Sequence, residues 1–84
     1  MDMKINKAEI ETTIQLINLL CKINQIKFMS INGEHIHYEP KEILKSEFLQ
    51  DDVIIVIDYA ERNWFYSIDN IETITIQLQD NQIL

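Results

Sequence analysis

The chain has 84 residues and a formal net charge of −7, from 14 acidic and 7 basic side chains. Apolar residues make up 46% of it, which is enough for a packed core and argues against a disordered acidic tail. The shortage of basic residues argues against direct contact with nucleic acid or anionic membranes, and no apolar run is long enough to span a bilayer. We therefore expect a single domain, residues 1–84, that contacts neither.

An amphipathic helix is predicted over residues 7–24, with Asn6 as its N-cap. The apolar residues of this segment recur at the spacing of one helix face: Ile10, Ile14, Ile17 and Cys21. That apolar stripe is broad, which favours a helix lying across a sheet. Because Cys21 is the only cysteine, no intramolecular disulfide is available, and a cytoplasmic location is expected.

A hairpin is predicted over residues 26–39, because Asn32 and Gly33 suit the two positive φ angles of a type I′ turn. A loop of only these two residues would place Met29 beside Ile36 on one face of the hairpin. The histidines of the second strand would then lie on the other face.

That second strand carries a candidate metal site. His35, His37 and Glu39 alternate along one face, and imidazole and carboxylate groups are ligands for zinc and other divalent metals. The alternative is that all three are ordinary surface residues, since the only thiol lies on the helix. We favour the surface interpretation and expect no cofactor.

Residues 40–52 form a connector for which two structures stay open. Pro40 ends the hairpin and could begin a short helix, with Ile43, Leu44 and Phe48 facing inward. The same segment could instead be a strand joined through residues 50–52 to the next one. We favour the helical turn.

Three further strands are predicted, at residues 53–59, 64–68 and 73–79. The first begins with an unbroken apolar, β-branched run typical of a central strand, and the last alternates apolar and polar residues. We expect the last strand to be a sheet edge, through which two copies would form a homodimer. The predicted fold is α+β: one N-terminal amphipathic helix packed on an antiparallel sheet or small open barrel of about five strands.

The order of these elements resembles the WYL-type domain, a small Sm-like β-barrel of bacterial transcription regulators, over roughly residues 10–76. The likeness rests on a strand ending at Pro40, an apolar strand ending in Ile57-Asp58-Tyr59, and a closing segment at residues 65–71. The Trp-Tyr-Leu triad of the family is absent, and Asn70 stands where the family has a ligand-binding arginine. The resemblance implies a barrel-like fold and a ligand-sensing or oligomerising module.

The net charge is confined to one half of the chain. Acidic and basic residues balance in residues 1–45, so the whole net charge comes from residues 46–84, where Arg62 is the only basic residue. Three consecutive aromatic residues, at positions 64–66, lie among these acids and are typical of protein interfaces. The candidate partner-binding residues are Asp51, Asp52, Asp58, Tyr59, Glu61, Trp64, Tyr66, Asp69 and Glu72.

These features predict a small acidic regulatory or inhibitory protein that binds a basic surface of another protein. An enzyme is not expected, because Gly33 is the only glycine and no nucleophile, metal or phosphate-binding motif is present. Isoleucine far outnumbers valine and lysine outnumbers arginine, which indicates an AT-rich genome such as that of a low-GC bacterium or its phage. The basic surface that we expect the acidic half to bind is the channel of an enzyme that handles nucleic acid.

Overall fold

The computed structural model describes residues 2–4, 7–48 and 50–80; Asn6, the predicted N-cap, lies outside them. The described residues form an α+β fold, in which the helix α1 (Ile10–Lys22) follows a short 3-10 helix at Lys7–Glu9. A second 3-10 helix lies at Ile68–Asn70. The strands are β1 (Asp2–Lys4), β2 (Ile26–Ile31), β3 (His35–Tyr38), β4 (Glu42–Phe48), β5 (Asp51–Ile57), β6 (Asn63–Ser67) and β7 (Thr73–Leu78).

The apolar stripe of α1 faces the core as predicted, since Ile10, Ile14, Ile17 and Cys21 are all buried. The helix ends where Asn24 adopts a left-handed backbone with a φ of 55°. The amide of Asn24 then donates to the carbonyl of Cys21, and the amide of Gln25 donates to the carbonyl of Leu20. These two bonds satisfy carbonyls that the end of the helix would otherwise leave unpaired.

The strands form two antiparallel sheets, ordered β1-β7-β2-β3 and β4-β5-β6. Strand β7 pairs with β1 on one side and with β2 on the other. The prediction that the last strand is a sheet edge was therefore wrong. The homodimer was predicted on the basis of that edge, so this basis is removed. The short strand β1 pairs with Thr73–Thr75 at that edge, and no pattern in residues 73–79 indicates this pairing.

The connector contains a strand where we favoured a helical turn. Strand β4 pairs with β5 along its whole length, from Glu42 opposite Ile57 to Phe48 opposite Asp51. Because β5 is central in its sheet, its backbone groups need partners on both edges, and β4 supplies one set of them. This strand and β1 bring the described fold beyond the five strands expected.

The hairpin has the predicted turn but a different register. Asn32 and Gly33 both have left-handed backbones, with φ angles of 53° and 70°. The loop holds one residue more than predicted, so Met29 pairs with His37 instead of Ile36. A shift of one residue moves every side chain of a strand to the opposite face, and His37 is accordingly buried.

The helix and both sheets enclose one apolar core, and α1 covers the outer edge of β4. The side-chain oxygen of Asn18 accepts a hydrogen bond of 3.3 Å from the backbone amide of Ile43, and Lys45 pairs with Glu11 at 3.4 Å. On the other side, β3 and β6 meet through side chains without pairing, so the described strands do not close into a barrel. We call this contact between β3 and β6 the seam.

Candidate functional site

Asp58 lies at the end of β5 and is only 3% exposed. One carboxylate oxygen accepts hydrogen bonds from the backbone amides of Ala60 and Arg62, each 2.9 Å long. The other accepts from Arg62 Nε at 2.8 Å and from Trp64 Nε1 at 2.9 Å. Asp58 therefore holds together the turn that joins β5 to β6, and its oxygens are used within the chain.

The pKa of Asp58 reflects this environment. Burial by itself raises the pKa, but the hydrogen bonds from Trp64, from the amides of Arg62 and Ala60 and from the Arg62 guanidinium outweigh it. The net result is a pKa lowered from 3.8 to about 2. The charged carboxylate is thus a structural element of the turn.

Two other predicted partner-binding residues, Tyr59 and Glu61, lie in the same turn. Tyr59 is 61% exposed. Glu61 pairs with Lys41 at 3.0 Å, and both side chains face solvent, where such pairs add little stability. This end of β5 therefore carries an exposed aromatic ring and a partly neutralised carboxylate.

Trp64 and Tyr66 are half-buried and fill the seam. The ring of His37 lies 5.2 Å from that of Trp64 and 5.8 Å from that of Tyr66, both in edge-on arrangements. Of the three consecutive aromatics, Phe65 is the exposed one, with 57% of its surface accessible. Trp64 and Tyr66 therefore contribute to packing between the sheets, and Phe65 is the ring that is exposed to solvent.

The candidate metal ligands do not come together. Nε2 of His37 is 2.5 Å from the hydroxyl of Tyr66, so this nitrogen already has a hydrogen-bond partner. Glu39 leaves the strand with a φ of 45°, and its carboxylate accepts a hydrogen bond of 3.1 Å from Gln79. Within residues 2–4, 7–48 and 50–80, no group of three or more potential ligands is placed to hold a metal ion.

The opposite end of β5 gathers acidic side chains around one cleft. Asp51, Asp52 and Asp69 line a cleft of about 470 Å³ together with Glu11 of the helix and Lys45 of β4. Glu47 stands directly opposite Asp52 in the pairing of β4 with β5. All five carboxylate residues are exposed. We define the acidic end as Glu11, Glu47, Asp51, Asp52 and Asp69.

The predicted surface is thus divided between separate regions. Asp52 and Asp58 lie six residues apart on an extended strand, which corresponds to about 20 Å. Glu72 lies elsewhere again, where its backbone amide donates 2.7 Å to the side-chain oxygen of Asn32. Only Asp51, Asp52 and Asp69 of the predicted residues are brought together at the acidic end.

Sequence reasoning did not identify Glu11 and Glu47 as candidates. Glu11 lies within the predicted helix, and Glu47 lies within the connector for which two structures stay open. The strand character of β4 places Glu47 beside Asp52, and the helix packing places Glu11 across the cleft. Neither placement has a local sequence signal.

Cys21 is buried in the core. Burial, with a smaller contribution from the charge of Glu42, raises the pKa of its thiol to about 11. A thiol with so high a pKa is a poor nucleophile at neutral pH, and Cys21 contributes packing.

The helix α1 has only thirteen residues, and no helix in the described part of the chain is long and apolar enough to cross a membrane. Comparisons with protein-family models, curated proteins and solved structures gave no match to this chain.

Proposed function

We propose that this protein is a small cytoplasmic, non-enzymatic regulator or inhibitor that binds a basic surface of another protein through its acidic end. The observation that carries the proposal is the convergence of Glu11, Asp51, Asp52 and Asp69 on one cleft from three separate parts of the chain. Carboxylates grouped in this way create a local negative potential, which speeds association with a positively charged surface.

The charge balance at this cleft supports the proposal. Among the described residues that line the cleft, Lys45 is the one basic residue, and it pairs with Glu11 at 3.4 Å. Asp51, Asp52 and Asp69 of the lining are exposed, and a partner's lysine and arginine side chains would complement the negative charge of this group. We propose a nucleic-acid-handling enzyme of a low-GC bacterium, or of its phage, as the partner, because such enzymes present basic channels.

The test is capture of partners from a lysate of the host at low and at high salt. We expect a basic protein to be retained at low salt and released at high salt, since salt screens exposed charges. The variant Asp51→Asn, Asp52→Asn, Asp69→Asn should lose that capture. A control with the same net charge, Glu39→Gln, Glu61→Gln, Asp80→Asn, should keep it.

The control separates a defined surface from overall acidity. Equal loss of capture by both triple variants would show that net charge alone is responsible. Failure of the unmodified chain to retain any basic protein at low salt would contradict the proposed function.

A second candidate is the ligand-sensing or oligomerising role implied by the resemblance to WYL-type and Sm-like domains. It is supported by a groove of about 300 Å³ between the hairpin and β6. Size-exclusion chromatography with light scattering measures the oligomeric state, and a monomer at all concentrations would count against both the oligomerising role and the predicted homodimer.

A further inference from the structure

The groove between the hairpin and β6 has a buried apolar floor. It lies at one end of the seam, between the turn that follows β2 and the 3-10 helix that follows β6. Ile31 and Ile71 belong to its lining and are 2% and 6% exposed. A concave site with an apolar floor and polar walls is the usual form of a binding pocket, and about 300 Å³ accommodates a single side chain or a small molecule.

Aromatic rings form much of the wall. His35, Phe65 and Tyr66 all belong to the lining, and the rings of His35 and Tyr66 are 5.9 Å apart. The hydrogen bond between the Tyr66 hydroxyl and buried His37 holds the Tyr66 ring in place. Phe65 presents an exposed ring. Rings of this kind attract planar groups, and cations in particular, through the negative charge on their faces.

The lining includes one acidic residue. Glu34 is that residue, and the described residues of the lining include no lysine or arginine. Glu72 lies next to it, because its amide donates to the side-chain oxygen of Asn32. The Asn32 side chain also donates 2.7 Å to the carbonyl of Asn70, which fixes the rim of the groove.

Hydrogen-bonding capacity remains in the same lining. The side chains of Ser67 and Asn70 belong to it, and neither is used in a hydrogen bond with the described residues. The groove therefore offers a carboxylate, aromatic faces and two neutral polar groups to a bound molecule.

We propose that this groove receives the guanidinium group of an arginine side chain presented by the basic partner, an inference that rests on the proposed function. The carboxylate of Glu34 excludes phosphate and other anions by repulsion and selects a cation. Among biological cations, guanidinium is planar, so it stacks on aromatic faces and still donates to a carboxylate, whereas a lysine ammonium behaves as a strongly hydrated point charge. The acidic end attracts any positively charged surface, and the groove adds a preference for arginine over lysine.

The experiment compares hexa-arginine and hexa-lysine peptides on the full chain, by calorimetry and by NMR shifts of residues 34–35 and 65–67. We expect hexa-arginine to bind about threefold more tightly than hexa-lysine, which corresponds to one cation–π contact at an exposed site. Phe65→Ala should remove this difference and leave hexa-lysine binding unchanged. Tyr59→Ala, which removes a similarly exposed ring that does not line the groove, should leave the difference intact.

A second arm isolates the guanidinium group. N-acetyl-arginine amide should shift the groove resonances, whereas N-acetyl-citrulline amide, which has nearly the same shape without the charge, should not. Glu34→Gln should weaken the arginine shifts and leave the fold intact, because the amide of Glu34 keeps its hydrogen bond to the carbonyl of Ile31 and its side chain makes no hydrogen bond or ion pair with the described residues. Equal shifts from both compounds would overturn the assignment of a cation to the groove and favour a neutral small ligand.

The outcomes separate the two proposals. The two peptides could bind equally well, with binding that Phe65→Ala does not change and that the triple substitution at the acidic end weakens. That result would overturn the groove proposal but would still support binding at the acidic end. If neither peptide binds, both the groove proposal and the proposed function are overturned.

Discussion

The two ends of β5 each carry aspartate, and the structure uses them in opposite ways. At one end, Asp58 is buried and accepts four hydrogen bonds from its own turn. At the other end, Asp51 and Asp52 face solvent beside an open cleft. The difference shows that a run of acidic residues in a sequence is not one surface, because a carboxylate surrounded by donors becomes part of the fold.

The largest expected effect on stability comes from removing the buried carboxylate of Asp58. Asp58→Ala leaves the Trp64 Nε1 donor, the Arg62 side chain and two backbone amides without their acceptor. We expect the melting temperature to fall by roughly 10 °C or more, since four hydrogen bonds in a partly buried turn are lost together in a small chain. Circular dichroism on heating measures the shift, with Asp52→Ala as the matched control, which should change it by only about 2 °C. Similar shifts in the two variants would contradict the comparison.

The pH dependence of stability provides a second test of the difference between Asp58 and the exposed aspartates. The pKa of Asp58 is about 2 in the folded chain and 3.8 when unperturbed. Its stabilising contribution is therefore complete above pH 3.8 and is lost as the pH falls from 3.8 toward 2. Urea unfolding from about pH 5 to about pH 2 should show a shallower pH dependence for Asp58→Asn than for the unmodified chain. An identical slope in the two proteins would show that Asp58 is not the titrating group.

We expect a smaller pH-dependent effect on stability from His37, which lies in the seam. Burial lowers the pKa of His37 from 6.5, the neighbouring His35 lowers it further, and Asp58 opposes both. Below pH 6.5 the unfolded chain thus binds a proton that the folded chain resists, and stability decreases as the pH falls toward the lowered pKa. His37→Phe should flatten the stability profile in that range. A profile that is unchanged by the substitution would assign the titration to another group.

The smallest expected effect on folding is at the acidic end. Asp51→Asn and Asp52→Asn should each change the free energy of unfolding by less than about 0.5 kcal/mol, because neither exposed carboxylate is needed for packing. The same substitutions should slow association with a basic peptide and reduce its dependence on salt. A loss of stability comparable to that of Asp58→Ala would remove the distinction between the two ends.

Local patterns predicted some of the fold well. The spacing of the apolar residues in α1 identified the buried face, and the Asn32-Gly33 dipeptide identified a turn with two left-handed residues. The register of that hairpin could not be predicted, because Asn32 is anchored to the far end of the chain. Its side-chain oxygen accepts from the amides of Glu72 and Thr73, forty and forty-one residues away.

The candidate site was predicted in part. The acidity of residues 46–84 pointed to Asp51, Asp52 and Asp69, which do share a cleft. The acidity of this half did not distinguish these three residues from Asp58. The burial of Asp58 depends on the Arg62 and Trp64 donors, which the turn between β5 and β6 places beside its carboxylate. The aromatic run was identified, yet the exposed ring is Phe65, because Trp64 and Tyr66 contact the histidines of β3.

The sequence by itself determined the fold class, the helix face, the central apolar strand and the excess of negative charge, because each depends on residue type and short-range spacing. Only the tertiary structure decided that β4 is a strand, that β7 is flanked on both sides, and which carboxylates are buried or exposed. Those outcomes depend on backbone pairing and side-chain contacts between distant segments, and such contacts leave no periodic signal in any one of them.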